Sequence, residues 1–378
     1  MDKKQPHIET IAVHGVRHSD ESRGDVIQPI HLSTTYERKK DGTHNEYNYT
    51  RGGNPNREAV ESKIAALENA SYAIAFSSGL AAVNAIFENI LVPGSHIIMP
   101  DDCYHGTKSL LNTFFVRRNI RVDETDMTDI KNIERLIQKD TRLVWIETPS
   151  NPQLKIADIH AIVALAKKHG LLTACDNTFA TPVLQQPLGM GVDYVMHSST
   201  KFFSGHSDIL GGVVCTDHDN EISKAIREYQ VMAGAVPAPF DCWLLNRSLA
   251  TFPLRFAKQC SNAFTIANFL GDHPVVEKVL YPGLPAHPNH LLAKQQMTNG
   301  FGSIISILLK GEERDALRFA AGLKIFKHAT SLGGVESLVE HRRSAEGDHP
   351  VSPANLVRIS VGIEYAEDLI ADLVQALN

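Results

Sequence analysis

The sequence predicts an α/β protein with a mostly parallel central sheet and a smaller α+β C-terminal domain. Three observations carry this expectation. Between about Asn56 and Met196, short apolar runs alternate with amphipathic helical stretches. Strands that are apolar throughout belong to sheets covered on both faces, as the parallel sheets of α/β proteins are. After about Leu249 the order changes to a long helical stretch followed by spaced strands and helices. The chain also has 378 residues, more than the roughly 250–300 at which one hydrophobic core stops growing. We therefore expect an N-terminal arm over 1–55, an α/β domain over 56–250 and an α+β domain over 251–378.

Each element follows from local pattern. The arm is polar and turn-rich, and its stretch from Asp41 to Pro55 holds Gly42, Gly52 and Gly53. Such a segment cannot bury a core of its own and is expected to wrap a neighbouring subunit. Helical periodicity predicts helices over 57–69, 79–91, 107–115, 129–138 and 159–169, the last stopped by Gly170. Apolar runs predict strands over 72–76, 96–99, 143–147, 172–175 and 194–196. Beyond them we expect a helix over 252–270, a strand over 301–309, a helix over 315–322, a strand over 356–361 and a helix over 366–377.

Composition narrows the function classes. The chain is 43% hydrophobic and 21% charged, ordinary for a globular protein. A net charge of −6 argues against a nucleic-acid binder, which carries a basic excess. The start, Met1 to Pro6, is polar and lacks an apolar signal core. Apolar runs such as Gly302 to Leu309 are too short to span a bilayer. The cysteines, Cys103, Cys175, Cys215, Cys242 and Cys260, are odd in number and form no CxxC pair. That argues against a disulfide framework or a zinc site, and a reducing cytoplasm fits. His287 and His290 lie in a Pro-rich loop and are expected at the surface rather than on a metal.

The chemistry is expected at strand ends, because open α/β sheets bind ligands at the carboxyl edges of their strands. The run over 143–147 leads into Thr148-Pro149-Ser150-Asn151. The run over 172–175 leads into Asp176-Asn177-Thr178, and that over 194–196 into His197-Ser198-Ser199-Thr200-Lys201. A fourth, over 72–76, leads into Ser77-Ser78-Gly79-Leu80 at a helix start. Singly these are ordinary: a strand-end Asp caps turns, and a Lys is usually a solvated charge. Together they meet the needs of pyridoxal 5'-phosphate (PLP). A phosphate dianion takes backbone N–H groups at a helix N-terminus, with Gly79 allowing close approach and the Ser198 and Thr200 hydroxyls adding hydrogen bonds. A carboxylate such as Asp176 keeps the pyridine nitrogen protonated. The aldehyde takes an amine, and Lys201 would react at neutral pH if its neighbours lower its pKa.

The segment from Asp193 to Ser207, DYVMHSSTKFFSGHS, resembles the PLP-attachment signature of the Cys/Met-metabolism (trans-sulfuration) family. The resemblance covers nearly the whole chain and implies PLP-dependent fold type I, aspartate-aminotransferase-like. It further implies that Lys201 holds the cofactor as a Schiff base and then acts as catalytic base. Tyr47-Asn48-Tyr49-Thr50-Arg51 is similar to the arm motif whose Tyr and Arg reach the cofactor phosphate of the neighbouring subunit. Ser78-Gly79-Leu80 is similar to the phosphate turn, Tyr104 to the aromatic stacked on the ring, and Asp176 with Thr178 to the pair beside the pyridine nitrogen. Asn151, Ser331, Leu332 and Arg358 fall where the family receives the substrate carboxylate. Without the resemblance, Arg358 in the alternating strand Leu356 to Val361 reads as a structural ion pair. Glu336 is expected to be structural.

The resemblance implies an amino-acid substrate and a homo-oligomer, a tetramer built as a dimer of dimers. It implies methionine and cysteine metabolism in the cytoplasm. Tyr104 or Tyr49 would assist proton transfer. Many γ-synthases and γ-lyases of the family carry Glu directly before Ser-Leu-Gly-Gly, where this chain has Thr330. Specialised methionine γ-lyases carry Cys where this chain has Gly106. The expectation is therefore a carbon–sulfur β-lyase acting on cystathionine, with γ-synthase and γ-lyase as alternatives. An aminotransferase and a non-catalytic PLP-fold protein are the more remote ones.

Overall fold

The computed structural model describes residues 6–15, 24–346 and 350–378. Met1 to Gln5, most of the polar start, lie outside the described residues. The main sheet is built from β1 (Tyr72–Phe76), β2 (His96–Pro100), β3 (Arg121–Thr125), β4 (Thr141–Glu147), β5 (Leu172–Asp176), β6 (Tyr194–His197) and β7 (Gly212–Thr216). Their order is β1-β7-β6-β5-β4-β2-β3. Only β7 runs against its neighbours, so the sheet is mostly parallel. A second sheet contains β8 (Val276–Leu280), β9 (Ile304–Leu309), β10 (Lys327–His328), β11 (Leu338–His341) and β12 (Leu356–Ser360), in the order β10-β11-β12-β9-β8.

Strand alternation divides the core of the main sheet. Ala73 and Ala75 of β1 face a cluster that includes Ile64, Ile162 and Leu165. Ile74 and Phe76 face another, with Val83, Ile86 and Trp145. This is the period-2 geometry of a strand buried on both faces. A third cluster, around Ile305, Ile307, Val357 and Leu373, belongs to the second sheet and its helices.

Helix starts follow their capping residues. Asn54 accepts the Asn56 N–H before the helix Pro55–Glu68, which also has Pro in its first turn. Ser78 accepts the Ala81 N–H before Gly79–Ile90, and Asp158 that of Ala161 before Ile159–Lys168. The helix expected over 107–115 is really three pieces. An α segment at His105–Leu110 widens to a π turn at Leu111–Phe115 and tightens at Val116–Arg118.

Several elements escaped the pattern. β3 (sequence RVDET) is an edge strand whose charges face solvent, so it has no apolar run to detect. The short strands β10 and β11 and the helices Glu221–Met232 and Pro239–Leu249 were likewise unforeseen. His287 corrects the expectation of a surface loop: it is 6% exposed and its Nε2 donates to the Leu154 carbonyl at 3.1 Å. His290 is half-buried against the Pro282 carbonyl. All five cysteines are buried and free. Among the described residues no helix is long and apolar enough to cross a membrane.

Candidate active site

The carboxyl ends of β4, β5 and β6 open into a cavity of about 340 Å³. Glu147 and Asp176 stand side by side there, paired in register as the last residues of β4 and β5. Ser198, Thr200 and Lys201 follow β6 and also line it.

One wall is the start of the helix Gly79–Ile90. Ser78 Oγ satisfies the Ala81 N–H at 3.1 Å, whereas the N–H groups of Gly79 and Leu80 have no acceptor within a helix. Two glycines allow this helix end to approach. A Cβ on Gly79 would stand 3.1 Å from Ser198 Oγ, and one on Gly212 only 2.4 Å from the Ser78 carbonyl oxygen. Ser198 Oγ has no hydrogen-bond partner among the described residues, although its backbone N–H is fixed by Thr178 Oγ1 at 2.9 Å. Thr200 differs from expectation in part. It lines the cavity, but its hydroxyl donates to the Gly211 carbonyl at 3.2 Å and accepts the Gly211 N–H at 2.9 Å.

Lys201 Nζ donates to Ser331 Oγ at 2.8 Å. Burial, and next the charge of Arg358, bring its pKa down to about 8. Ser331 has φ 91°, a conformation that costs a non-glycine residue about 1–3 kcal/mol. It places the Ser331 hydroxyl on Lys201 while its carbonyl accepts from Arg358 Nη2 at 3.0 Å. Arg358 also donates Nη1 to Asn151 Oδ1 at 3.0 Å and Nη2 to Glu340 Oε2 at 2.7 Å. The ion pair and the cavity position thus coincide in one side chain. Burial pushes the Arg358 guanidinium down to about 10, with the charge of Arg342 as the next cause. Leu332 and Leu80 supply apolar wall.

Asp176 Oδ1 accepts the Thr178 N–H at 3.0 Å. Burial nevertheless holds its carboxyl above the usual range. Glu147 is raised further, first by burial and second by the charge of Asp176. Its two oxygens accept the Tyr104 backbone N–H at 3.0 and 3.1 Å, which fixes the loop that carries the Tyr104 ring at the cavity. A Cβ on Gly106 would lie 2.4 Å from Tyr104 Cε1, so any side chain at 106 forces that ring to move.

The chain does not bring Tyr49 and Arg51 to this cavity; neither lines it. Tyr49 bridges to Thr35, and the Arg51 guanidinium lies 5.5 Å from the Tyr49 ring centre. Glu336 accepts from Ser207, a contact within the loops. Sequence reasoning missed Glu147, Glu340 and Arg342. Glu147 carried the same signal as Asp176, a charge closing an apolar run. Glu340 and Arg342 carried none.

The donor set fits PLP. Free N–H groups and an unpartnered hydroxyl can take a phosphate, a buried carboxylate can hold a protonated ring nitrogen, and a buried, pKa-lowered lysine can take an aldehyde. Fold and site together define a PLP-dependent enzyme of fold type I. The sequence model of the Cys/Met metabolism PLP-dependent enzymes matches residues 9–378, and the chain belongs to that family. It is 44% identical over 377 residues to a cystathionine gamma-synthase of Mycobacterium leprae, covering 98% of this chain and 97% of that one. It is 39% identical over 385 residues to a cystathionine beta-lyase of Coxiella burnetii, covering 100% and 99%. The crystal structure of metB from Corynebacterium glutamicum superposes with a TM-score of 0.96 at 41% identity, covering 99% and 98%.

Proposed function

We propose that this enzyme is a carbon–sulfur lyase that cleaves cystathionine on its β side, giving homocysteine, pyruvate and ammonia. Thr330 carries this reading. It lines the cavity immediately before Ser331, and it offers a hydroxyl where many γ-acting relatives offer a carboxylate.

PLP, when bound, supplies an electron sink for negative charge at the substrate α-carbon. Gly79, Leu80 and Ser198 would hold its phosphate, with Thr200 bracing the loop through Gly211; Asp176 with Thr178 would hold its ring nitrogen, Tyr104 its ring face and Lys201 its aldehyde. Arg358 and Asn151 hold the substrate α-carboxylate, Arg358 through its planar fork. Lys201 Nζ is placed to remove the α-proton, and its pKa of about 8 suits a base at neutral pH. The Cβ–S bond then breaks, with Tyr104 placed to protonate the departing thiolate. Water completes the reaction, so one cystathionine and one water give the three products.

Product analysis tests this. Pyruvate with homocysteine supports the reading; 2-oxobutyrate with cysteine and no pyruvate overturns it. The second reading, γ-synthase, is favoured by the 44% identity to the mycobacterial relative. It predicts cystathionine from an O-acyl-homoserine plus cysteine.

Two further results are expected. The rate at which apoenzyme captures PLP should rise with pH along an apparent pKa near 8, because neutral Lys201 is the reactive form. The sign is set by the lowered pKa: an unperturbed lysine, near 10.4, would leave the rate still climbing at pH 9.5. Arg358→Ala should move the midpoint upward, since it removes the charge that disfavours the ammonium. Stopped-flow absorbance measures both, and an unmoved midpoint in the variant would sink the assignment.

We also propose that Tyr49 and Arg51 complete the site of a neighbouring subunit, in an oligomer built as a dimer of dimers. Arg51→Ala should weaken PLP binding by about 10- to 100-fold, the range for a charge-assisted hydrogen bond. Mixing Arg51→Ala with inactive Lys201→Ala subunits should restore about a quarter of the activity through hybrid dimers. No restoration after verified subunit exchange would place both residues within their own subunit's chemistry.

A further inference from the structure

Arg342 opens the short helix Arg342–Ala345 directly after β11. It is 6% exposed and lines the cavity together with Arg358. The two guanidiniums share one carboxylate, and even one atom of it. Arg342 Nη1 donates to Glu340 Oε2 at 2.5 Å and Arg358 Nη2 to the same oxygen at 2.7 Å. Arg342 Nε, buried, has no partner among the described residues, whereas Glu340 also takes the Thr330 hydroxyl.

A purely structural ion pair accounts poorly for this arrangement. One carboxylate would suffice for one arginine, and each buried unsatisfied group costs about 1–3 kcal/mol. Arg358 donates to Asn151, the Ser331 carbonyl and Glu340. Among the described residues Arg342 has a single hydrogen bond, to Glu340. Near the reacting lysine the two guanidiniums share Glu340, while the charge of Arg342 also acts on the buried Glu346. The donor left open among the described residues is Arg342 Nε, on a side chain that lines the cavity together with Thr330.

We propose that Arg342 recognises a second carboxylate of the substrate, the one at the far end of its side chain, so that the site selects dicarboxylic amino acids. The proposal rests on the reading of this cavity as the amino-acid site, but not on which bond is cut. Arg358 holds the α-carboxylate, and Arg342 holds the distal one through the guanidinium edge whose Nε has no partner among the described residues. Amino acids with an uncharged tail would occupy the same site without using Arg342.

The test compares two unreactive ligands of similar length on the holoenzyme. L-2-aminopimelate carries a distal carboxylate, and L-norleucine ends in a methyl group. Their dissociation constants follow from the change in the visible cofactor band. Wild type should bind aminopimelate about 10- to 100-fold more tightly than norleucine, the range for hydrogen bonds to a charged group. Arg342→Met should lose that preference while norleucine affinity stays within about threefold. Arg342→Lys should keep part of the preference, because it retains the charge but not the fork. The same preference in wild type and Arg342→Met overturns the proposal. So does equal weakening of both ligands, with no rescue in Arg342→Lys, the result a structural arginine would give. Neither ligand has a leaving group, so failure of the β-lyase reading would leave this result standing, and a lost preference would leave the product assay standing.

Discussion

Lys201→Ala should lower turnover of cystathionine by at least about 10³-fold. Positioned proton transfer alone is worth about 10²–10⁴-fold, and the variant loses the covalent anchor as well. The geometry explains why no neighbour substitutes. Nζ is held by Ser331 at 2.8 Å, deep beside Asp176 and Arg358, and Ser331 lacks the basicity to replace an amine. Lowered pKa alone does not identify this lysine. Lys63 is also buried and brought down to about 8, yet its ammonium donates to the Asn246 carbonyl, away from the cavity. Borohydride reduction followed by peptide mass analysis separates the two. Wild type should carry the reduced cofactor on the peptide containing Lys201, and the variant on none. Label on Lys63, or more than a tenth of wild-type turnover in Lys201→Ala, would remove Lys201 from the mechanism.

The parts of the fold and site that the sequence exposes are those under one strong local constraint. β4, β5 and β6 are buried on both faces, so they are apolar throughout, and the polar groups that follow them mark the carboxyl edge. The helix start at Ser78-Gly79 is visible because a cap and a close approach demand those residue types. β3 is an edge strand and carries charge, so no run reveals it. β7 lies inside the sheet, between β1 and β6, but the loop before it and its antiparallel direction break the βαβ rhythm.

The site residues divide in the same way. Asp176 and Lys201 stand in a signature, whereas Glu340 and Arg342 matter only through the fold. β11 and β12 put Glu340 opposite Arg358, and Arg358 lies 18 residues further along the chain than Glu340. No spacing announces such a pairing. His287 shows the opposite error: a Pro-rich loop looks exposed, but this one folds inward to meet the Leu154 carbonyl. Tyr49 and Arg51 lie away from the cavity of their own chain, which is what a residue serving a neighbouring subunit requires.

Asp176→Asn should reduce kcat/KM by roughly 10²- to 10⁴-fold while PLP still binds. The asparagine keeps the shape of the side chain and can still accept the Thr178 N–H, so the local turn survives. What disappears is the negative charge that the protonated ring nitrogen needs. Leaving one member of a buried ion pair without its partner costs about 3–5 kcal/mol, and each 1.36 kcal/mol is a factor of ten in rate. Glu147 does not take over the task. It is held by the Tyr104 N–H, and burial, the first cause of its raised pKa, persists in the variant. The Asp176 carboxyl is itself raised by burial, and a cation beside it favours its charged form. Removing the cofactor should therefore raise the pKa of Asp176, and restoring PLP should lower it, a change that carboxyl-selective infrared difference spectra can follow. Activity of Asp176→Asn within tenfold of wild type would show that the ring nitrogen does not depend on this carboxylate.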